Sequence, residues 1–136
     1  MKRVIFFLLA MVPSYFLVVL AASELGGEVV TLLRPNVEGG FDEVRVWIVD
    51  DGDVTLIEHG SQGDEWLEGL KASGPISLVR DGIKIDYSGQ QASALHAGYH
   101  ALRREKYGLA DYMIEVLTGA SVDACDGMPL QLQVIN

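Results

Sequence analysis

Apolar and polar residues alternate in short runs along most of this chain, and the periods of that alternation predict its elements. Residues 28–34 (EVVTLLR) are aliphatic and β-branched and read as a strand. Residues 35–43 (PNVEGGFDE) form a turn or loop. Residues 44–60 read as two strands around Asp50-Asp51-Gly52-Asp53, with Val44, Val46 and Ile48 on one face and Arg45, Trp47 and Val49 on the other. A short helix is predicted over 65–72, capped by Ser61 or Asp64 and ended by Ser73-Gly74-Pro75. Residues 76–89 repeat the hairpin pattern around Asp81-Gly82. Apolar positions then change to helical spacing. Leu95, Tyr99, Leu102 and Tyr107 define a helix over 92–108, and Leu109, Tyr112, Met113, Val116 and Leu117 a second over 109–119. Residues 128–135 (MPLQLQVI) alternate cleanly as a last strand.

Antiparallel strands with a few helices between them predict an α+β fold, a small split β-barrel with flanking helices. The length of 136 residues suits one domain of this kind. Residues 4–22 (VIFFLLAMVPSYFLVVLAA) break the pattern, because they carry no charge. As a helix they would extend roughly 28 Å, close to the thickness of a bilayer's hydrocarbon core. They predict one N-terminal transmembrane helix, with residues 1–23 as an anchor and 24–136 as the barrel domain. Lys2, Arg3 and the small residues after the apolar run also fit a secretory signal peptide. Either way the basic residues come first, which keeps the N-terminus cytoplasmic. The expectation is a single-pass protein of the inner or plasma membrane with its domain outside, in a periplasm where one exists.

Charge narrows the partners. Everything after the apolar run holds 8 bases against 19 acids, a formal charge of −11. Nucleic acid and anionic lipid surfaces need clustered bases and are excluded as partners. The cluster 102–106 (LRREK) reads as an exposed helix face with Glu105 interleaved, or as a seat for an anionic group. Cys125 is the only cysteine, so there is no internal disulfide and no CxxC metal motif.

Several residues have types and spacings that carry chemistry. Gly60-Ser61-Gln62-Gly63 before a helix offers backbone N–H groups to an anion, or is only a tight strand-to-helix turn. Trp66 offers a face for a flat ring, or packs into the core. Arg45 and Arg80 can meet a phosphate or carboxylate, or form ion pairs. His96 and His100 share a helix face and suit two metal ligands, with His59 or one of the acids supplying a third; otherwise they form a pH-responsive surface pair. Tyr87, Tyr99, Tyr107 and Tyr112 are candidate proton donors or packing residues. No catalytic triad order, Walker loop or dinucleotide fingerprint is present.

The order of a strand, an Asp-Gly hairpin, the Gly-Ser turn, Trp66 and Leu70 before Gly74-Pro75, "ISLVRDG", helices and a terminal "MPLQLQ" strand resembles the deazaflavin-dependent nitroreductase family, one of the flavin-binding split β-barrels. The resemblance covers about residues 28–135. It implies a barrel that binds the deazaflavin F420 or FMN, often across a homodimer, and passes hydride to a quinone or nitro compound. The family's phosphate loop matches 34–45, with Gly39 and Arg45 aligned and Asn36, Val37 and Glu38 replacing its basic and serine positions. Gly69 stands where many relatives have asparagine. The implied cofactor contacts are Arg45, Gly60, Ser61, Gly63 and Trp66. The competing expectation is a barrel without a cofactor, acting as an accessory subunit of a membrane protein complex.

Overall fold

The computed structural model describes residues 2–70, 74–119 and 121–135, and the side chains among these except at 2–10 and 22–24. Helix α1 (Lys2–Leu25) comes first. Six strands follow: β1 (Val29–Pro35), β2 (Phe41–Asp51), β3 (Val54–Ser61), β4 (Gly74–Arg80), β5 (Ile83–Gln91) and β6 (Gly127–Val134). They close into an antiparallel barrel in the order β1-β2-β3-β6-β5-β4, with β4 pairing back to β1. A one-turn helix, α2 (Glu65–Gly69), joins β3 to β4, and α3 (His96–Tyr107) and α4 (Leu109–Thr118) join β5 to β6.

The alternation predicted from the sequence sets which side chains face inward. Val30 and Leu32, Val46 and Ile48, Ile76 and Leu78, and Leu130 and Leu132 fill the barrel, two from each of four strands. Leu67 of α2 is fully buried and closes one end of this core. Gly89 is needed inside the barrel, because a Cβ there would meet Ile76 Cδ1 at 2.4 Å. The opposite face of β2 and β3 is also buried. Val49 and Leu56 pack with Tyr99 and Tyr107 of α3, against Trp47, Val54 and Leu102. One sheet therefore has an inner core and a smaller outer one, the second made by α3 alone.

Both hairpins form at the Asp-Gly pairs. Asp51 pairs with Val54 around Gly52 (φ 61°), and Arg80 with Ile83 around Asp81 (φ 52°) and Gly82 (φ 77°). Positive φ at both central residues gives the second turn the twist that adjoining strands favour. β2 begins earlier than predicted, at Phe41, because its pairing with β1 continues to Pro35. The Asn36 side chain makes this short loop possible by accepting from the Gly40 and Glu38 N–H groups at 2.9 and 3.2 Å. Gly108 (φ 50°) separates the two predicted helices. Lys71, Ala72 and Ser73, where the helix after Trp66 was expected to end, lie outside the described residues.

The expected transmembrane anchor is corrected. Among the described residues no helix is long and apolar enough to cross a membrane. Residues 4–22 fall within α1, where Pro13 is internal and the Tyr15 hydroxyl donates to the Leu117 carbonyl at the end of α4. Tyr15, one of the three residues with Pro13 and Ser14 that interrupt the apolar run, thus makes a contact with the domain. The single-pass membrane localisation falls with the anchor.

Candidate functional site

Two places gather chemistry-bearing side chains, one at an end of the barrel and one outside it. The first is an open cleft of about 830 Å³ between the β1–β2 loop and α2, with Arg34, Asn36, Asp42, Asp64, Glu65 and Trp66 among its lining. Pro35, Leu70 and Pro75 add apolar walls. Arg34 donates to Asp42 at 2.8 Å, and Asn36 Nδ2 to the other Asp42 oxygen at 3.1 Å. Arg34 and Asn36 together hold the Asp42 carboxyl below its ordinary pKa. Arg34, the arginine that lines the cleft among the described residues, is therefore already neutralised. Arg34 also lies 3.4 Å from His59, whose ring stands 5.6 Å from Trp66. Burial, then the Arg34 charge, lowers the His59 pKa.

The Gly60–Gly63 turn sits beside this cleft. Gly60 has φ 82°, and a Cβ there would meet Asp64 Oδ2 at 2.6 Å and Trp66 Nε1 at 2.8 Å. The Ser61 N–H donates to the Asp64 carboxylate at 2.9 Å, and the Ser61 hydroxyl donates to Asp126 at 3.1 Å. A carboxylate of the chain thus occupies the N–H that an anion would use. Of the five residues expected at a cofactor, Gly60, Ser61, Gly63 and Trp66 lie together. Arg45 does not join them; it points from β2 into a second pocket of about 230 Å³ with Glu58, His59, Tyr99 and Arg103.

The second place is where α3 and the residues before β6 cover β3. Glu58 Oε1 lies 3.4 Å from His96 Nε2 and 3.4 Å from His100 Nε2, atoms that are buried without a hydrogen-bond partner among the described residues. The Cys125 thiol is 3.6 Å from Glu58 Oε2. Arg103 Nη1 lies 3.5 Å from the same oxygen and is fixed by Asp111, with Nε and Oδ1 at 2.5 Å. Burial lowers the His100 pKa and raises that of the Cys125 thiol.

Local sequence accounts for this convergence. His96 opens α3 and His100 lies one turn later on the same face, as expected from the spacing. His100 is only 5% exposed, so the reading of a surface pair is corrected for it: α3 packs this face onto β3. The β3–β6 register shifts between Glu58 and Ser61, and such irregularities re-aim side chains. Sequence reasoning missed Glu58 and Cys125 as partners of the histidines. The available signal was an acid at the end of the apolar run "VTLI", on the strand face shared with Leu56.

The other candidates are structural. Arg80 pairs with Glu28 and Asp50. The cluster 102–106 is held within the chain, Arg103 and Arg104 by Asp111 and Lys106 by Glu28. Trp47 packs against Tyr107 with ring centroids 4.6 Å apart and the planes tilted by 40°.

No protein-family model matches this sequence, and no curated protein is significantly similar to it. Solved structures do share its fold. One is HutZ, the heme storage protein of Vibrio cholerae, with TM-score 0.53 and 14% identity over 80% of this chain and 82% of that one. This likeness, together with the closed barrel, shows a split-barrel-like fold and does not show the deazaflavin nitroreductase family.

Proposed function

We propose that the chain is a small-molecule-binding split barrel that holds a flat, conjugated ring in the cleft beside Trp66. The single observation that carries this reading is the cleft itself. It has the volume of a ligand site, one large aromatic ring, apolar walls and a few convergent polar groups. The fold adds support, since the structurally similar HutZ is a heme storage protein.

The residues fit a ring better than a phosphate tail. Asp42, Asp64 and Glu65 share the lining with Arg34, and Asp64 occupies the turn's Ser61 N–H. Two unit charges 4 Å apart repel by about 1 kcal/mol even in water, and by more at a protein surface. FMN and F420 both carry phosphate and fit this cleft poorly; an unphosphorylated flavin or deazaflavin ring fits it. Such a ring would supply hydride transfer to a quinone or nitro compound, and the protein would supply position and electrostatics. The neutralised Arg34 favours a second reading, in which the barrel binds no cofactor and serves as a subunit of a larger complex.

Titration of the purified protein with riboflavin, FMN, F420 and haem separates the readings. Riboflavin is expected to quench Trp66 fluorescence, in wild type and Trp47→Phe but not in Trp66→Phe, and FMN to bind several-fold more weakly. Failure of every ligand to bind would leave the subunit reading.

A further inference from the structure

We propose that Glu58, His96, His100 and Cys125 form a binding site for one divalent transition-metal ion, with zinc the ion the donor set fits. The site is separate from the cleft and does not rest on the reading given there. It offers two imidazole nitrogens, one carboxylate oxygen and one sulfur, all within 4.8 Å of one another. Zinc takes these ligand types and is four-coordinate in sites closed by protein side chains.

The spacing separates a metal site from a hydrogen-bonded cluster. At zinc-ligand lengths of about 2.0–2.1 Å, tetrahedral angles set neighbouring nitrogen and oxygen ligands about 3.4 Å apart. Glu58 Oε1 is 3.4 Å from each histidine Nε2. That is beyond the usual N–H···O range of about 2.7–3.2 Å. Among the described residues none of the three atoms has a hydrogen-bond partner, although the Glu58 and His100 side chains are only 8% and 4% exposed. Buried polar atoms without partners are costly, and an ion bound to all three would satisfy them.

The surroundings fit the same role. Arg103 and the Cys125 thiol contact Glu58 Oε2, leaving Oε1 turned to the histidines. Asp111 holds Arg103 in place, as outer partners orient metal ligands elsewhere. The 230 Å³ pocket lined by Glu58 and Arg103 borders the site. The ligands come from β3, α3 and the segment before β6, so a bound ion would tie these three to one another. With four protein ligands the centre is structural.

The test uses the full chain, stripped with a chelator and titrated with zinc or cobalt. One zinc per chain is expected, with a higher melting temperature. Cobalt should give the intense visible bands of a tetrahedral site and a near-ultraviolet thiolate charge-transfer band. Cys125→Ser should abolish that charge-transfer band. His100→Ala and His96→Gln should each weaken zinc binding by at least about 100-fold, beyond the 10–100-fold cost of losing an outer partner. His59→Gln should leave zinc affinity unchanged. Circular dichroism establishes that each variant is folded; if His100→Ala is not, the half-buried His96 and Cys125 still decide the matter. Substoichiometric zinc, octahedral cobalt spectra or affinity indifferent to Cys125 and His96 would overturn the site.

Discussion

Gly127 lies against Glu58 so closely that a Cβ added to it would meet the Glu58 Cδ at 2.6 Å and Cγ at 2.7 Å. The glutamate reaches its partners across a backbone position without a side chain. Gly127→Ala must therefore push Glu58 off His96 and His100 or shift β6. We expect a loss of about 1–3 kcal/mol in stability, the usual cost of overpacking, and zinc affinity lowered at least tenfold. Chemical denaturation and zinc titration measure the two effects separately.

Tyr107 joins the outer core to the barrel wall. Its hydroxyl accepts from the Ile48 N–H at 3.2 Å and lies against the carbonyls of Ile48 and, at 3.1 Å, Glu28. Tyr107→Phe keeps the ring contact with Trp47 but leaves the buried Ile48 N–H without this acceptor. A cost of about 1–3 kcal/mol follows from an unsatisfied buried group. Thermal melts should show it, with the near-ultraviolet signal of Trp47 largely preserved.

The barrel was legible because period-two alternation and Asp-Gly turns are local signals, and they placed all six strands. The cleft was partly legible for the same reason: Gly60, Ser61, Gly63 and Trp66 are neighbours in sequence as well as in space. The Glu58–His100 meeting was not legible, because it depends on how α3 packs across β3 and on where the β3–β6 register slips. Cys125 reaches the cluster through a loop that carries no periodic signal. Residues 4–22 misled because an absence of charge was read as a membrane span, whereas Tyr15 makes a hydrogen bond to α4.

Acid should loosen the seam where Glu28 and Asp50 meet Arg80 and Lys106. Burial raises the pKa of both carboxyls, but the hydrogen bonds from Lys106 and Arg80 to Glu28, and from Arg80 and Thr55 to Asp50, outweigh it and lower both. The folded values lie below the unfolded ones of 4.5 and 3.8. The stabilisation is therefore complete above the unfolded pKa and is lost as pH falls through the folded pKa. Denaturation midpoints should fall below about pH 4.5, the ordinary carboxylate range. Glu28→Gln should cost roughly 0–1 kcal/mol at pH 7, as partly exposed pairs do, and the difference should shrink near pH 3.

Among the described residues Arg34 is the cation that lines the cleft, and Asp42 holds it at 2.8 Å. If that pairing is what disfavours phosphate, Asp42→Asn should free the guanidinium to take a phosphate in a charge-assisted, bidentate contact. FMN should then bind several-fold more tightly than to wild type, while riboflavin, which has no phosphate, should bind about as before. Glu65→Gln should act in the same direction but less, because Asp42 is the carboxylate that pairs with Arg34 and losing Glu65 removes only a longer-range repulsion. Adding salt should reduce the gain, since the cleft is open to solvent and exposed charges are screened over about 10 Å at 0.1 M. If FMN and riboflavin respond equally to Asp42→Asn, the carboxylates do not select the ligand, and the preference for an unphosphorylated ring is wrong.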